Sequence, residues 1–234
     1  DVPFAARFLW VTKLTNNGRQ MSQLFTETDS QVLADIIRLR RDVRGNRFNN
    51  KPIADSSIEV LLNAAMQAPS VGYSQPWQFV IIRDLATKQA VQQTFTAENA
   101  AGSRQFSGQQ RAQYDSLKLE GILEAPVNLA VFYQPSTEAV LGQTSMPEMG
   151  KFSVVCAIQN LWLMARSLNI GVGWVSILDP VKVKKILNAP TNSELVGYLC
   201  IGYVDDFLDE PELKQKGWQQ TKSAAQVVFQ EQFD

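Results

Sequence analysis

Apolar residues recur along this 234-residue chain in two ways, at every third or fourth position and in short unbroken runs. In QVLADIIRLRR, Val32, Leu33, Ile36 and Ile37 share a helical face, with Asp29 and Ser30 as candidate caps. ADSSIEVLLNAAMQ repeats the spacing: Asp55 or Ser56 is the expected cap, Ile58, Leu61, Leu62, Ala65 and Met66 form the face, and APSVGYSQP breaks the helix. WQFVIIR and VNLAVFY read as strands. Between them lie two polar helical segments, about 86–99 and 107–124, joined by AGSRQFSG; their sparse apolar faces suggest a mobile cover. After the loop QPSTEAVLGQTSMPEMG comes KFSVVCAIQNLWLMARSLN, the most apolar helix, expected at the centre. GVGWVSI reads as a strand, DPVKVKKIL as a helix with Pro180 in its first turn, and ELVGYLCIGYV as the last strand. The tail beyond Asp205 is expected to be polar and extended. Helices interleaved with four strands predict a mixed α/β layer, helices packed on a sheet.

Composition narrows the partners. Twenty-two basic and twenty-three acidic residues leave a formal charge of -1, so no whole-chain field recruits nucleic acid or an anionic membrane, and any anion must meet a local cluster. No apolar stretch reaches the roughly 20 residues that span a bilayer. Cys156 and Cys200 sit in apolar runs without metal-ligand spacing, and the chain has no histidine to complete a zinc site. No metal is expected, and two reduced core thiols fit the cytoplasm. Residues 1–20 carry an apolar patch without a signal-peptide pattern and are expected to be an extension or appended segment outside a single domain of 21–234.

Three segments offer chemistry. LRRDVRGNRF crowds Arg40, Arg41, Arg44 and Arg47 around one carboxylate, Asp42. Guanidinium forks bind phosphate bidentately, so several together imply a phosphate-sized anion. Asp42 either balances these charges at a helix C-terminus or works on another part of the same ligand. APSVGYSQPWQF is a turn-rich stretch where a flat ligand could lie against the main chain, or an ordinary loop after a helix stop. GVGWVSILDP sets Ser176 at a strand end, a common ligand position in α/β sheets, or simply a cap for the next helix. Gly171 and Gly173 do not make GxGxxG, so a dinucleotide site is weakly indicated. Without histidine the usual nucleophile triads are excluded, and difficult chemistry calls for a bound cofactor.

Taken together, RRxxR, PSxxxxQPW and GxGW before a helix resemble the nitroreductase-fold FMN flavoproteins, over nearly the whole chain from about Ser30 to Trp218. Where the ordinary motif carries serine between its arginines, this chain has Asp42. That variant, with SVGYSQPWQF, TSMPEMGKFSVVCAIQNLW and GVGWVSILDP, resembles the flavin-fragmenting branch of the family, the 5,6-dimethylbenzimidazole synthases. The resemblance implies an α+β fold with a central, mostly antiparallel sheet flanked by helices, in an intertwined homodimer with FMN at the subunit interface.

It further implies that Arg40, Arg41 and Arg44, with Asp42 and Val43 among them, hold the phosphate and ribityl end. Pro69, Ser70, Val71 and Tyr73 would reach the partner's flavin, and Val175, Ser176 and Ile177 would lie along the isoalloxazine. Asp42 and Ser176 match the catalytic positions, and residues 86–124 would form a lid that excludes water. The implied reaction fragments reduced FMN with dioxygen to the benzimidazole lower ligand of cobalamin and erythrose 4-phosphate, the reduced flavin coming from a separate reductase. The alternatives are an NAD(P)H-dependent nitroreductase or flavin reductase, and a non-catalytic flavin carrier.

Overall fold

The computed structural model describes residues 24–49 and 51–233, so the expected extension 1–20 lies outside the described residues. Helix α1 (Glu27–Leu39) begins at Thr26, three residues before the expected caps. The Asp29 amide donates to Thr26 Oγ1 at 3.3 Å and the Thr26 amide donates to Asp29 Oδ2 at 2.9 Å, so Asp29 closes a capping box from inside the helix. Helix α2 (Asp55–Met66) starts after Ala54 without a side-chain cap. The Asp55 carboxylate instead accepts from Arg83 Nη2 at 2.7 Å, across to the end of β1 (Trp77–Ile82).

Four strands form one antiparallel sheet in the order β1-β2-β4-β3, with β2 at Val127–Tyr133, β3 at Ile170–Val175 and β4 at Glu194–Tyr203. Trp77 pairs with Tyr133, Val127 with Ile201, and Ile170 with Tyr203. Side chains alternate across a strand, so β2 serves two cores. Leu129 and Val131 pack with α2 and α5 (Met149–Ser167) on one face. Ala130 and Phe132 pack with α3 (Leu85–Ser103) and α6 (Pro180–Ile186) on the other. All seven β2 residues are therefore buried, which is why LAVFY reads as a continuous apolar run, and the polar Asn128 before it is satisfied by donating to Ile122 O at 2.9 Å.

Two polar helical segments were expected between β1 and β2, and their boundaries differ. Helix α3 runs on to Ser103 and sinks Val91 and Phe95 into the second core, whereas α4 (Gly108–Asp115) stops nine residues short of 124. The stretch after it cannot stay helical because its carbonyls serve the arginine segment: Leu119 O accepts from Arg44 Nη1 at 3.2 Å and Glu120 O from the Gly45 amide at 2.9 Å. Nor is the tail simply extended, since it contains a one-turn helix α7 (Glu212–Gln215) and a 3₁₀ turn at Ala224–Gln226. Cys200 is buried, but Cys156 is exposed, on the outer face of α5 beside half-exposed Phe152 and Val155. Among the described residues no helix is long and apolar enough to cross a membrane.

Candidate active site

β3 is the last strand of the sheet, and the segment after α1 docks against its open edge. Asp42 and Val172 form a parallel bridge, in which the Val43 amide donates to Val172 O at 3.0 Å. Gly173 permits this approach: a Cβ there would land on the Val43 carbonyl oxygen. The glycines of GVGW thus serve close backbone packing rather than a dinucleotide.

Asp42 is fixed by this docking. Its Oδ1 accepts from the Trp174 amide at 3.0 Å and its Oδ2 pairs with Arg44 Nη2. Burial pushes the Asp42 carboxyl above the ordinary carboxylate range; Arg44, the Trp174 amide and Arg40 pull it back, while Glu212 pushes it further up. The carboxylate is therefore held in place, with its affinity for a proton raised by burial.

The arginines divide. Arg40 lays its guanidinium 4.5 Å over the Trp162 ring, and its charged form is disfavoured chiefly by burial. Arg41 was expected to grip phosphate, but its guanidinium is buried and already engaged. Nη1 donates to Arg38 O at 2.8 Å and Arg40 O at 2.7 Å, and Nη2 donates to Asp209 O, leaving Nε buried without a partner. It locks the turn, while Arg44 donates from Nη1 to Leu119 O at 3.2 Å and pairs through Nη2 with Asp42. Arg47 points elsewhere, toward Asp206 at 3.7 Å. Val43 is buried at 3% and supports the turn from beneath.

Arg40, Arg41, Asp42 and Arg44 line a cavity of about 140 Å³ whose other wall is Pro211, Glu212 and Leu213. That wall was not foreseen, because the tail's polar pattern carries no periodic signal. The donor set and the size suit a phosphate-sized anion, and a larger group joined to it needs an open place nearby. Ser176 offers such a place: β3 ends at Val175, and the Leu178 amide donates to Ser176 O at 3.0 Å, turning Ser176 out into solvent. Val175 is buried and Ile177 half-buried beside it. Asp42 and Ser176 thus share the C-terminal end of β3.

The remaining predicted residues stand apart on this chain. Pro69 and Ser70 lead into a 3₁₀ turn at Val71–Tyr73, whose Val71 amide donates to Ser153 Oγ at 3.1 Å near the start of α5. Gly72, Tyr73 and Gln75 all have left-handed φ angles, of 53, 52 and 47°. In the two non-glycines this costs on the order of 1–2 kcal/mol each, a strain that concentrates at functional turns. The turn leaves Tyr73 83% exposed, pointing away from its own chain.

This fold and site have counterparts. The model of the nitroreductase family matches residues 37–203, and the chain belongs to that family. Within it the chain falls among the 5,6-dimethylbenzimidazole synthases. It is 43% identical over 198 residues to the protein of that name from Rhodospirillum rubrum, covering 84% of this chain and 93% of that one. A Rhodobacter capsulatus protein of the same name is 40% identical, with 84% and 95% covered. Two solved structures share the fold: an iodotyrosine deiodinase bound to FMN and 3-iodo-L-tyrosine, and a BluB-like flavoprotein from Clostridium difficile 630. The first has a TM-score of 0.67 and 23% identity, covering 86% of this chain and 100% of that one. The second has 0.64 and 21%, covering 86% and 99%.

Proposed function

We propose that the chain is a 5,6-dimethylbenzimidazole synthase, taking reduced FMN as substrate and, with dioxygen, fragmenting it to 5,6-dimethylbenzimidazole and erythrose 4-phosphate. FMN supplies the electron-rich ring that reacts with dioxygen; the chain supplies binding, orientation and proton handling. Arg40 and Arg44 bind the phosphate, and Val175 and Ile177 lie along the ring. Ser176 presents its hydroxyl to the N5 and O4 edge.

Asp42 carries the reading. Its carboxylate sits among the arginines, tethered by the Trp174 amide, and burial raises its affinity for a proton above that of an ordinary carboxylate. A reductase or a flavin carrier gains nothing from an acid there, whereas cutting the ribityl chain requires a group that takes and returns a proton near its C1′ carbon. When phosphate draws Arg44 toward itself, Asp42 loses its ion-pair partner and its proton affinity rises further.

A second copy of the chain completes the site. Supporting this are the half-exposed Val32, Leu33 and Ile37 on α1, Phe152 and Val155 on α5, and the strained 69–73 turn with its outward Tyr73. Pro69, Ser70, Val71 and Tyr73 then contact the flavin held by the other copy. The cover spans about 86–124; Val91 and Phe95 anchor its first helix, and buried Tyr114 and Ile122 anchor the part beyond Arg104. A separate reductase supplies reduced FMN, in a cytoplasmic setting where the free thiols Cys156 and Cys200 persist.

The test mixes purified protein with chemically reduced FMN in air and analyses products by mass spectrometry. A benzimidazole and a four-carbon sugar phosphate are expected. Quantitative return of oxidised FMN overturns the proposal and leaves the reductase reading.

A further inference from the structure

The tail touches both the arginine pocket and the helical cover. At one end Asp209 O accepts from Arg41, and Pro211, Glu212 and Leu213 wall the pocket opposite Arg40, Asp42 and Arg44. At the other end Lys216 O accepts from Gln113 Nε2 of α4 at 2.7 Å. The Trp218 ring meets Phe106 edge-on, with centroids 5.3 Å apart and planes at 82°, and lies 6.1 Å from Tyr114. Tyr114 in turn donates to Asn99 of α3 at 2.9 Å.

Between these ends the chain is a compact unit. The Lys216 amide donates to Glu212 O, Gly217 to Lys214 O and Trp218 to Leu213 O, each at 2.9 Å. Gly217, with φ of 70°, makes the reversal. Lys214 also pairs with Glu210 at 2.5 Å. A unit closed on itself by these bonds transmits a push at one end to the other more readily than it deforms.

We propose that residues 209–218 form a strap that carries occupancy of the phosphate pocket to the cover, with Gln113 and Trp218 as positioning residues that touch neither phosphate nor ring. Glu212 is the sensing group. It faces the same arginines that a phosphate dianion would enter among, so the anion repels its carboxylate and drives that wall outward. The displacement passes through the one-turn helix to Lys216 and Trp218, loosens their hold on α4 and the 104–107 joint, and frees the cover to close over the ring. This inference rests on the flavin-binding reading, but it concerns binding and not turnover.

Oxidised FMN and riboflavin separate the effect, because they share the ring and differ in the phosphate. Hydrogen exchange is followed at residues 104–118 and 216–218 with each ligand at saturation. In the wild type FMN alters exchange at 104–118 relative to riboflavin by about three- to ten-fold, the factor that loss of one hydrogen bond or one aromatic pair supplies, while the 216–218 amides, whose bonds close the strap on itself, stay protected. Gln113→Ala and Trp218→Ala still bind FMN but respond alike to both flavins at 104–118, and Trp218→Phe, which keeps an edge-on ring, restores the difference. The same response to both flavins in the wild type, or a phosphate-specific response surviving in both alanine variants, overturns the strap. A phosphate-specific response in a protein that makes no benzimidazole sinks the synthase reading alone; normal product without the response sinks the strap alone.

Discussion

Replacing Gly173 by alanine adds one methyl group to an edge strand, and the structure makes that methyl expensive. It would occupy the position of the Val43 carbonyl oxygen, a backbone atom that cannot rotate away. The 42–43 segment must lift off β3, losing the Val43 amide bond to Val172 O and the Trp174 amide bond to Asp42, both 3.0 Å. A neutral backbone bond contributes about 0.5–1.5 kcal/mol and one to a carboxylate about 1.5–3, so the loss is about 2–4.5 kcal/mol.

Gly171→Ala is the control. Its methyl would meet Val204 Cγ1 at 2.9 Å, Val43 Cγ2 at 3.0 Å and Gly202 O at 3.2 Å, a crowding that leaves both hydrogen bonds in place and should cost about 1–3 kcal/mol without loss of the Asp42 tether. Urea unfolding by linear extrapolation measures both variants. Product yield should fall sharply in Gly173→Ala, because Asp42 loses its tether. A Gly173→Ala protein as stable and productive as wild type refutes the docking argument.

Three further outcomes are expected. Asp42→Asn changes how stability depends on pH: a carboxyl whose folded affinity for protons is raised favours folding below its ordinary value of 3.8 and loses that contribution as pH rises through its folded value. Wild type should therefore lose stability relative to the asparagine variant as pH increases from about 4, and parallel pH profiles would refute the assignment. Leu33→Glu combined with Ile37→Glu charges the exposed face of α1 and should convert a dimer to monomers in light scattering with loss of FMN binding; an unchanged mass with full affinity refutes the second-copy site. Asp179→Ala removes the cap that accepts from the Val181 and Lys182 amides at 3.0 Å and should cost about 1 kcal/mol in urea unfolding, with little change in product yield.

VNLAVFY and KFSVVCAIQNLWLMARSLN were legible from the sequence because their apolar content reflects burial between layers, which acts within a few residues. The first cap was not, because Thr26 lies before the apolar pattern and works through a reciprocal bond to Asp29. Cys156 looked like a core residue because its neighbours are apolar; the structure shows that α5 has a second apolar face, which the described residues leave exposed at Phe152 and Val155. At the site, the residues around Asp42 and Ser176 were visible as motifs, but not what each arginine does. Arg41 is engaged by the carbonyl of Asp209, 168 positions away, and no local pattern encodes that contact. The same distance hid the Glu212 wall.

Asp42 remains the residue on which the account turns, and a single turnover isolates it. Wild type and Asp42→Asn are each loaded anaerobically with reduced FMN, binding is verified by equilibrium dialysis without oxygen, and air is admitted. The account predicts that the asparagine variant binds FMN with affinity within about ten-fold of wild type, since Arg40 and Arg44 persist, yet returns it as oxidised FMN with no benzimidazole. A wild-type yield of benzimidazole from Asp42→Asn would contradict it.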